Sequence, residues 1–453
     1  MKDIVIIGGG ISGLALLHYL KKRSGSRSDV DVRLIEKEVM TGGTIGTVSR
    51  NGCLFETGPI GFLDNREHML ELIKDLDLKE RMIKANGKTK KRFVFMNDRL
   101  RAIPQTPSAF LKTPILNVSQ KWRLLKEPFI PKGINPDESL FDFGKRRLGI
   151  GVAENLLDPF VSGVYAGDAA EISLRYGFPQ IYQWEQEYGS LVKAMLKTKM
   201  PKAQLTSWEG GMGSLIEALT KEHQENILCD DEVHTLTYNN SVFTLRTKNK
   251  EFSAHAVYLC TPAYAAAEIL KPSWPALAAD LLKINYASVT VVGLVYKREA
   301  FEVLPEGFGY LIPSKEQKKV LGVLFESNIF PNRCPDNQIL LRVMLGGTRH
   351  PEVLTWDDQK IISAAKEEIQ KVFSTKNDAL QVYLKRWPKG IPQYDRGYAQ
   401  VIESIKGKLS RVKNLHLVAN YIDGISVNDC VASAYKAACL PDRQAEETEV
   451  FSS

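Results

Sequence analysis

The sequence predicts a mixed chain, α/β in a nucleotide-binding part and α+β overall, on three observations. A short apolar run, Asp3 to Ile7, leads through Gly8-Gly9-Gly10-Ile11-Ser12-Gly13 into the helical pattern LALLHYLKK. β-type runs alternate from Ser288 to Leu345 (SVTVVGLVY, GFGYLI, VLGVLFES, ILLRVML). Between them lies a proline-punctuated, helix-rich stretch that fills much of residues 105–205. At 453 residues the chain exceeds the size at which one core stops growing, about 250 to 300 residues, so several domains are expected.

The first observation defines a βαβ unit, whose second strand, VDVRLI (Val30 to Ile35), ends at Glu36. Gly8 permits the tight turn, Gly10 lets main-chain N–H groups approach a pyrophosphate, and Gly13 allows helix and strand to pack closely. The helix N-terminus then faces the anion. A carboxylate at Glu36, 23 residues after Gly13, meets a ribose 2′-hydroxyl and disfavours a 2′-phosphate, which leaves FAD and NAD. The unit is Rossmann-like. Two more glycine turns follow, Thr41-Gly42-Gly43-Thr44-Ile45-Gly46-Thr47 and FETGPIGF (Phe55 to Phe62), each suited to a phosphate or ring contact.

The helical stretch opens with AIPQTPSAFLKTPI and NVSQKWRLLKEPFIP, continues through DESLFDFGKRRLGIGVAENLLDPFVSGVYAG, and closes in FPQIYQWEQEYGSLVKAMLK. It reads as an inserted domain. TSWEGGMGSLIEAL then starts a helix from a Gly-Gly turn, and short strands precede HAVYLC, which returns to the nucleotide sheet. After the β-type runs and the helix DDQKIISAAKEEIQKVF, LHLVAN brings the chain back once more. The expected division is 1–85, 206–287 and 385–445 for nucleotide binding, 86–104 and 288–384 for a β-sheet substrate domain, and 105–205 for the helical insertion.

Hydrophobic residues at 44 % and charged residues at 25 % are globular values that exclude collagen-like, disordered and multispan membrane classes. No apolar run approaches the ~18 to 20 residues of a bilayer-spanning helix. Six separated cysteines and seven histidines form no C-x-x-C pair, H-E-x-x-H motif or cluster at ligand spacing, so no metal and no disulfide framework is expected. The chain starts directly in a glycine motif that cleavage would destroy, and no export signal is expected. Its net charge of +7 is uneven: residues 83–132 hold twelve Lys and Arg against two acids. That bias suits a solvated face, an anionic lipid surface or a carboxylate-rich ligand; nucleic acid is not expected, since no recognition module accompanies it. With no nucleophile elbow either, the chemistry belongs to a bound cofactor.

The glycine turns resemble the FAD signature of amine-oxidase-like flavoproteins, with Thr44 where a basic residue is usual. The resemblance sharpens along the whole chain. KRFVFMNDRLRAIP, DPFVSGVYAGDAAEISL, FPQIYQWEQEYGSL, the WEGG turn, GFGYLIP, VLGVLFES, VMLGG, WPKGIPQY and GISVNDC are similar, in order, to the blocks of the oxygen-dependent protoporphyrinogen oxidase family. The resemblance implies FAD held by Gly8, Gly9, Gly10, Ile11, Ser12, Gly13, Glu36, Lys37, Gly42, Gly43, Thr44, Gly58, Pro59, Ile60, Gly61, Val233, Trp387, Ile425, Ser426 and Val427. No catalytic side chain is expected.

It also implies a porphyrinogen substrate, with Arg92 pairing a propionate and Phe308, Gly309, Leu311, Leu324 and Met344 lining the macrocycle. On spacing alone Arg92 is one charge among many and the others are core residues. The reaction implied is a six-electron oxidation in three flavin cycles, with molecular oxygen reduced to hydrogen peroxide. The helical insertion resembles a membrane-binding domain, which implies a cytoplasmic protein peripheral on the inner face of the cell membrane, and relatives suggest a homodimer. Coproporphyrinogen III is the alternative substrate, favoured by Lys90, Lys91 and Arg101. An amine oxidase or carotenoid desaturase would share the fold but not the blocks around Arg92 and GVYAGD, and a non-catalytic flavin or porphyrin carrier is the reading from another class.

Overall fold

A computed structural model describes residues 2–25, 30–198, 202–304 and 306–439. Residues 440–445 of the expected nucleotide-binding segment lie outside these ranges.

The run Lys2–Ile7 is a parallel strand flanked by Val30–Ile35 on one side and Ala256–Leu259 on the other. Its Val5, Ile6 and Ile7 are all buried, because Ile6 shares a core with helix Ile11–Ser24 on one face while Val5 and Ile7 on the other share one with Leu236, Phe243 and Leu245 of the antiparallel strands Val233–Asn239 and Val242–Thr247, so neither face is left polar. Ile227–Leu228 and Leu415–Leu417 complete five parallel strands at the two edges. Helix Ile11–Ser24 is buried from Ile11 to Leu20. It shares an apolar core with helix Val427–Ala438, so it shows little of the one-sided patterning of a surface helix.

A second sheet has seven strands: Gln381–Pro392, Tyr286–Lys297, Gln338–Gly346, Val320–Leu324, Gly309–Leu311, Phe93–Met96 and Arg99–Ala102, in that order. Adjacent strands run antiparallel except Gly309–Leu311 against Phe93–Met96. The strand Gln381–Pro392 pairs along Tyr286–Lys297 from Gln381 to Pro392, so residues 385–392, grouped by the sequence with nucleotide binding, continue the edge of this sheet. One face, with Tyr310, Val323 and Val343, packs under helix Asp358–Phe373.

The other face is fixed by register. Leu311 lies opposite Gly322, Gly322 opposite Met344, and Met344 opposite Val291, which pairs with Lys385. Leu311 also lies beside Val94, whose antiparallel partner is Arg101. Side chains opposed across a ladder share a face, so this row runs from Lys385 to Arg101 with an apolar middle.

The segment from Pro107 to Lys197 is mostly short helices. Its interior is tied by Arg147, fully buried, which donates to Glu127 Oε1 at 2.8 Å and Glu185 Oε1 at 2.7 Å. Ser190 Oγ adds a bond of 2.5 Å to Glu127 Oε2. Hydrogen bonds to both carboxylates are what make a buried ion pair tolerable.

Candidate functional site

The first glycine turn is built by close approach. A Cβ at Gly13 would lie 2.0 Å from the Gly8 carbonyl oxygen, and Gly8 has a φ of +106° against Cys260. Gly10 differs, since a Cβ there would meet nothing within 4 Å. The open space lies at the N-terminus of helix Ile11–Ser24, where four main-chain N–H groups lack helical partners. Glu36 is buried; its Oε2 accepts Gly9 N–H at 2.5 Å and its Oε1 accepts Glu38 N–H at 2.9 Å.

The remaining turns close on the first. Gly10 bridges Gly42, and a Cβ at Gly43 would lie 3.4 Å from Gly10 Cα. A Cβ at Gly58 would lie 2.1 Å from the Thr44 carbonyl oxygen, so the second and third turns touch. The third turn is gripped from the second sheet. Arg342 donates to the carbonyls of Glu56 at 2.5 Å and Gly58 at 2.6 Å, and Trp387 Nε1 donates to Thr57 O at 2.7 Å.

Helix Val427–Ala438 points its N-terminus into the same region. Ser426 and Asp429 form a reciprocal cap, Ser426 Oγ accepting Asp429 N–H at 3.1 Å and Asp429 Oδ2 accepting from Ser426 N–H at 3.3 Å. Asn428 Nδ2 donates to Leu63 O at 2.9 Å, just beyond the third turn. Val427 is buried and Ile425 half-buried, whereas Val233 belongs to the core that holds Val5, Ile7 and Ile35. Lys37 is exposed, with Glu38 Oε1 at 3.5 Å from its Nζ. The buried Cys430 thiol is pushed up to about 11 by desolvation, which leaves it protonated at neutral pH.

The residues expected to meet substrate converge beside the third turn. Ile60 packs in one apolar cluster with Phe308 and Leu324. Gly309 pairs with Leu324, and its φ of +146° brings a hypothetical Cβ to 2.2 Å from Val323 O. The Arg92 guanidinium stacks 4.9 Å from the Phe308 ring centroid. Helix Asp158–Tyr165 roofs this face: a Cβ at Gly163 would lie 2.7 Å from Leu311 Cδ2. Asp158 pins the roof, its Oδ2 accepting Ser314 N–H at 2.8 Å and its Oδ1 pairing with Arg349.

A model of the family described as flavin containing amine oxidoreductase matches residues 11–440. The chain belongs to that family. As a flavin containing amine oxidoreductase it is an FAD-dependent oxidase. It is 28 % identical over 453 residues to a coproporphyrinogen III oxidase of Bacillus subtilis, covering 95 % of this chain and 96 % of the relative. A chloroplastic protoporphyrinogen oxidase 1 of Arabidopsis thaliana is 30 % identical, over 96 % of this chain and 87 % of that one. Among solved structures, a protein of Exiguobacterium sp. assigned provisionally as a protoporphyrinogen oxidase shares the fold with a TM-score of 0.85, at 24 % identity over 98 % of this chain and 99 % of that chain.

The residues present fit the FAD of this flavin containing family. Gly10 leaves a cradle open, and Thr261 Oγ1 beside Gly8 and Asn428 Oδ1 in the first turn of the capped helix are buried without a protein partner. The sequence missed a group of charges under the third turn. Glu56 accepts Thr47 Oγ1 at 2.6 Å and Met212 N–H at 2.9 Å and pairs with Arg333 at 3.2 Å, yet burial still raises its pKa. Glu326, fully buried, is pushed up to about 7 by desolvation, and its Oε1 has no protein partner. Their signal in the sequence is a charge inside an apolar β-type run, as in ILLRVML, which a surface assignment does not explain.

Proposed function

We propose that this enzyme oxidises protoporphyrinogen IX to protoporphyrin IX in haem biosynthesis, removing six electrons in three two-electron steps with molecular oxygen as the final acceptor. The observation that carries this reading is the apolar face of Leu311, Leu324 and Met344 beside Arg92, in contact through Ile60 with the turn assigned to the flavin. When bound, FAD would accept hydride from the substrate and pass electrons to oxygen, giving hydrogen peroxide. The chain's own part is to bind and orient. A flat apolar macrocycle suits apolar walls, and the planar guanidinium of Arg92 suits a propionate as a bidentate partner. Helix Asp158–Tyr165 limits water above that face. On this reading the nucleotide segments hold FAD, the seven-stranded sheet presents the substrate, and the helical insertion meets the membrane.

A second reading, oxidation of coproporphyrinogen III, is supported by Arg101 and Lys385, which lie on the same face at the ends of the Leu311–Met344 row. Four propionates would use more of those cations than two, and the Bacillus subtilis relative bears that name. Anaerobic stopped-flow mixing of the yellow protein with each porphyrinogen separates the readings. Faster flavin bleaching by protoporphyrinogen IX supports the first, faster bleaching by coproporphyrinogen III the second, and bleaching by neither leaves a carrier.

We also infer a peripheral position on the cytoplasmic membrane face. No helix among the described residues is long and apolar enough to cross a membrane. Most of the exposed large apolar side chains lie in the helical insertion, with Leu111, Trp122, Phe129 and Ile134 between 65 % and 98 % exposed. Lys112, Lys121 and Lys126 interleave with them, the pattern of an interfacial surface.

A further inference from the structure

We propose that Arg342 is a positioning residue that registers the flavin turn to the substrate-bearing sheet, acting together with Trp387 through three successive main-chain carbonyls. The proposal rests on the reading that the Gly58–Gly61 turn meets the flavin.

Arg342 occupies strand Gln338–Gly346 on the substrate face, opposite Leu324 on one side and Gly293 on the other. It is only 5 % exposed. Among the described residues no carboxylate forms an ion pair with it; its fork is spent on Glu56 O and Gly58 O, at 2.5 and 2.6 Å. The carbonyl between them, Thr57 O, takes Trp387 Nε1 at 2.7 Å. Trp387 pairs with Val289, which shares a face with Gly293 four residues on, so Arg342 and Trp387 approach the turn from one side of one sheet. The neighbourhood is cleared for this contact, since a Cβ at Gly293 would come within 2.6 Å of the Phe55 ring.

A buried guanidinium is a poor way to gain stability, because an apolar side chain of similar volume commonly does as well. What only the fork supplies is geometry: two donors in a fixed plane, spaced to hold alternate carbonyls. Three consecutive peptide planes are thereby set by side chains of the sheet that carries Leu324 and Met344. The flavin turn and the macrocycle wall then keep one spacing, which hydride transfer needs within a fraction of an ångström.

Arg342→Lys keeps the cation and loses the fork, and Trp387→Phe keeps an aromatic ring while losing Nε1–H and part of the indole. Apo-protein of each is titrated with FAD by flavin fluorescence quenching, visible circular dichroism of the bound flavin is recorded, and Tm of the apo-protein is measured. The expected result for Arg342→Lys is a rise of about tenfold or more in the FAD Kd with an altered flavin dichroism band and little change in apo Tm. Trp387→Phe moves the same two readouts less, and the double variant less than additively. Wild-type Kd and dichroism in Arg342→Lys, or variants whose only change is a lowered apo Tm, overturn the proposal. If Arg342→Lys does not fold, unchanged Kd and dichroism in Trp387→Phe overturn it, and a shift in both supports it. Wild-type protein that takes up no FAD in the same titration overturns instead the reading beneath it.

Discussion

The Gly9 amide donates to Glu36 Oε2 over 2.5 Å, so the acid expected to meet a ribose already ties the first glycine turn to the end of the second strand. With Oε1 accepting Glu38 N–H, each oxygen keeps a lone pair for a ligand hydroxyl. Glu36→Gln retains one acceptor and places an NH₂ against a donor. It is expected to weaken FAD binding by about 1 to 3 kcal/mol, the loss of a charge-assisted bond plus an unsatisfied amide. Titration of the apo-protein with FAD checks it.

Two glycines of the same turn should fail differently. Gly10→Ala meets nothing within 4 Å and keeps a φ of −73° that alanine accepts, so Tm of the apo-protein stays unchanged while FAD affinity falls. Gly13→Ala would put its methyl 2.0 Å from Gly8 O, and both Tm and FAD content should drop. Thermal unfolding with and without FAD separates the two.

Arg92→Ala should raise KM for the porphyrinogen with FAD content unchanged, by an amount on the order of 1.5 to 3 kcal/mol. Unaltered kinetics would remove Arg92 from the site.

Glu326 gives a pH dependence whose direction follows from burial. Burial raises its folded pKa to about 7 from the 4.5 ordinary for a glutamic acid, so the protonated form is favoured in the folded state. Its contribution is fully present below pH ~4.5 and is lost as pH rises through ~7, to the extent of about 3 kcal/mol. Glu326→Gln should therefore be more stable than wild type at pH 8 and differ little at pH 5. Urea unfolding at the two values tests this.

Trp122→Glu with Phe129→Glu should abolish sedimentation with vesicles of anionic phospholipid without changing FAD content. Sedimentation equal to wild type would remove this face as the docking surface.

What could be read in the sequence was local. The Gly8–Gly13 turn and the acid ending the second strand depend on neighbours a few residues away, and their spacing announces them. The seven-stranded sheet was legible except at its edge along Gln381–Pro392, where residues 385–392 were grouped with nucleotide binding because the strand they pair with, Tyr286–Lys297, lies far back in the chain. The contacts that Arg342 and Trp387 make were hidden for the same reason: nothing near them in the chain indicates that their partners are the carbonyls of Glu56, Thr57 and Gly58. Arg147 looks like one of three basic residues closing a helix until Glu127 and Glu185 fold around it.

The order of the parallel sheet bears on how the protein is made. Lys2–Ile7 gains its second neighbour only when residues 256–259 have been synthesised, and Leu415–Leu417 closes the far edge later still. At about 5 to 20 residues per second, a ribosome needs roughly 20 to 80 s to pass from the first strand to the last. For that interval the nascent glycine turn has no completed sheet beneath it and the Ser426 cap does not yet exist. On the reading that both the first glycine turn and the Ser426 cap meet the flavin, tight FAD binding has to wait until the last helix has been made.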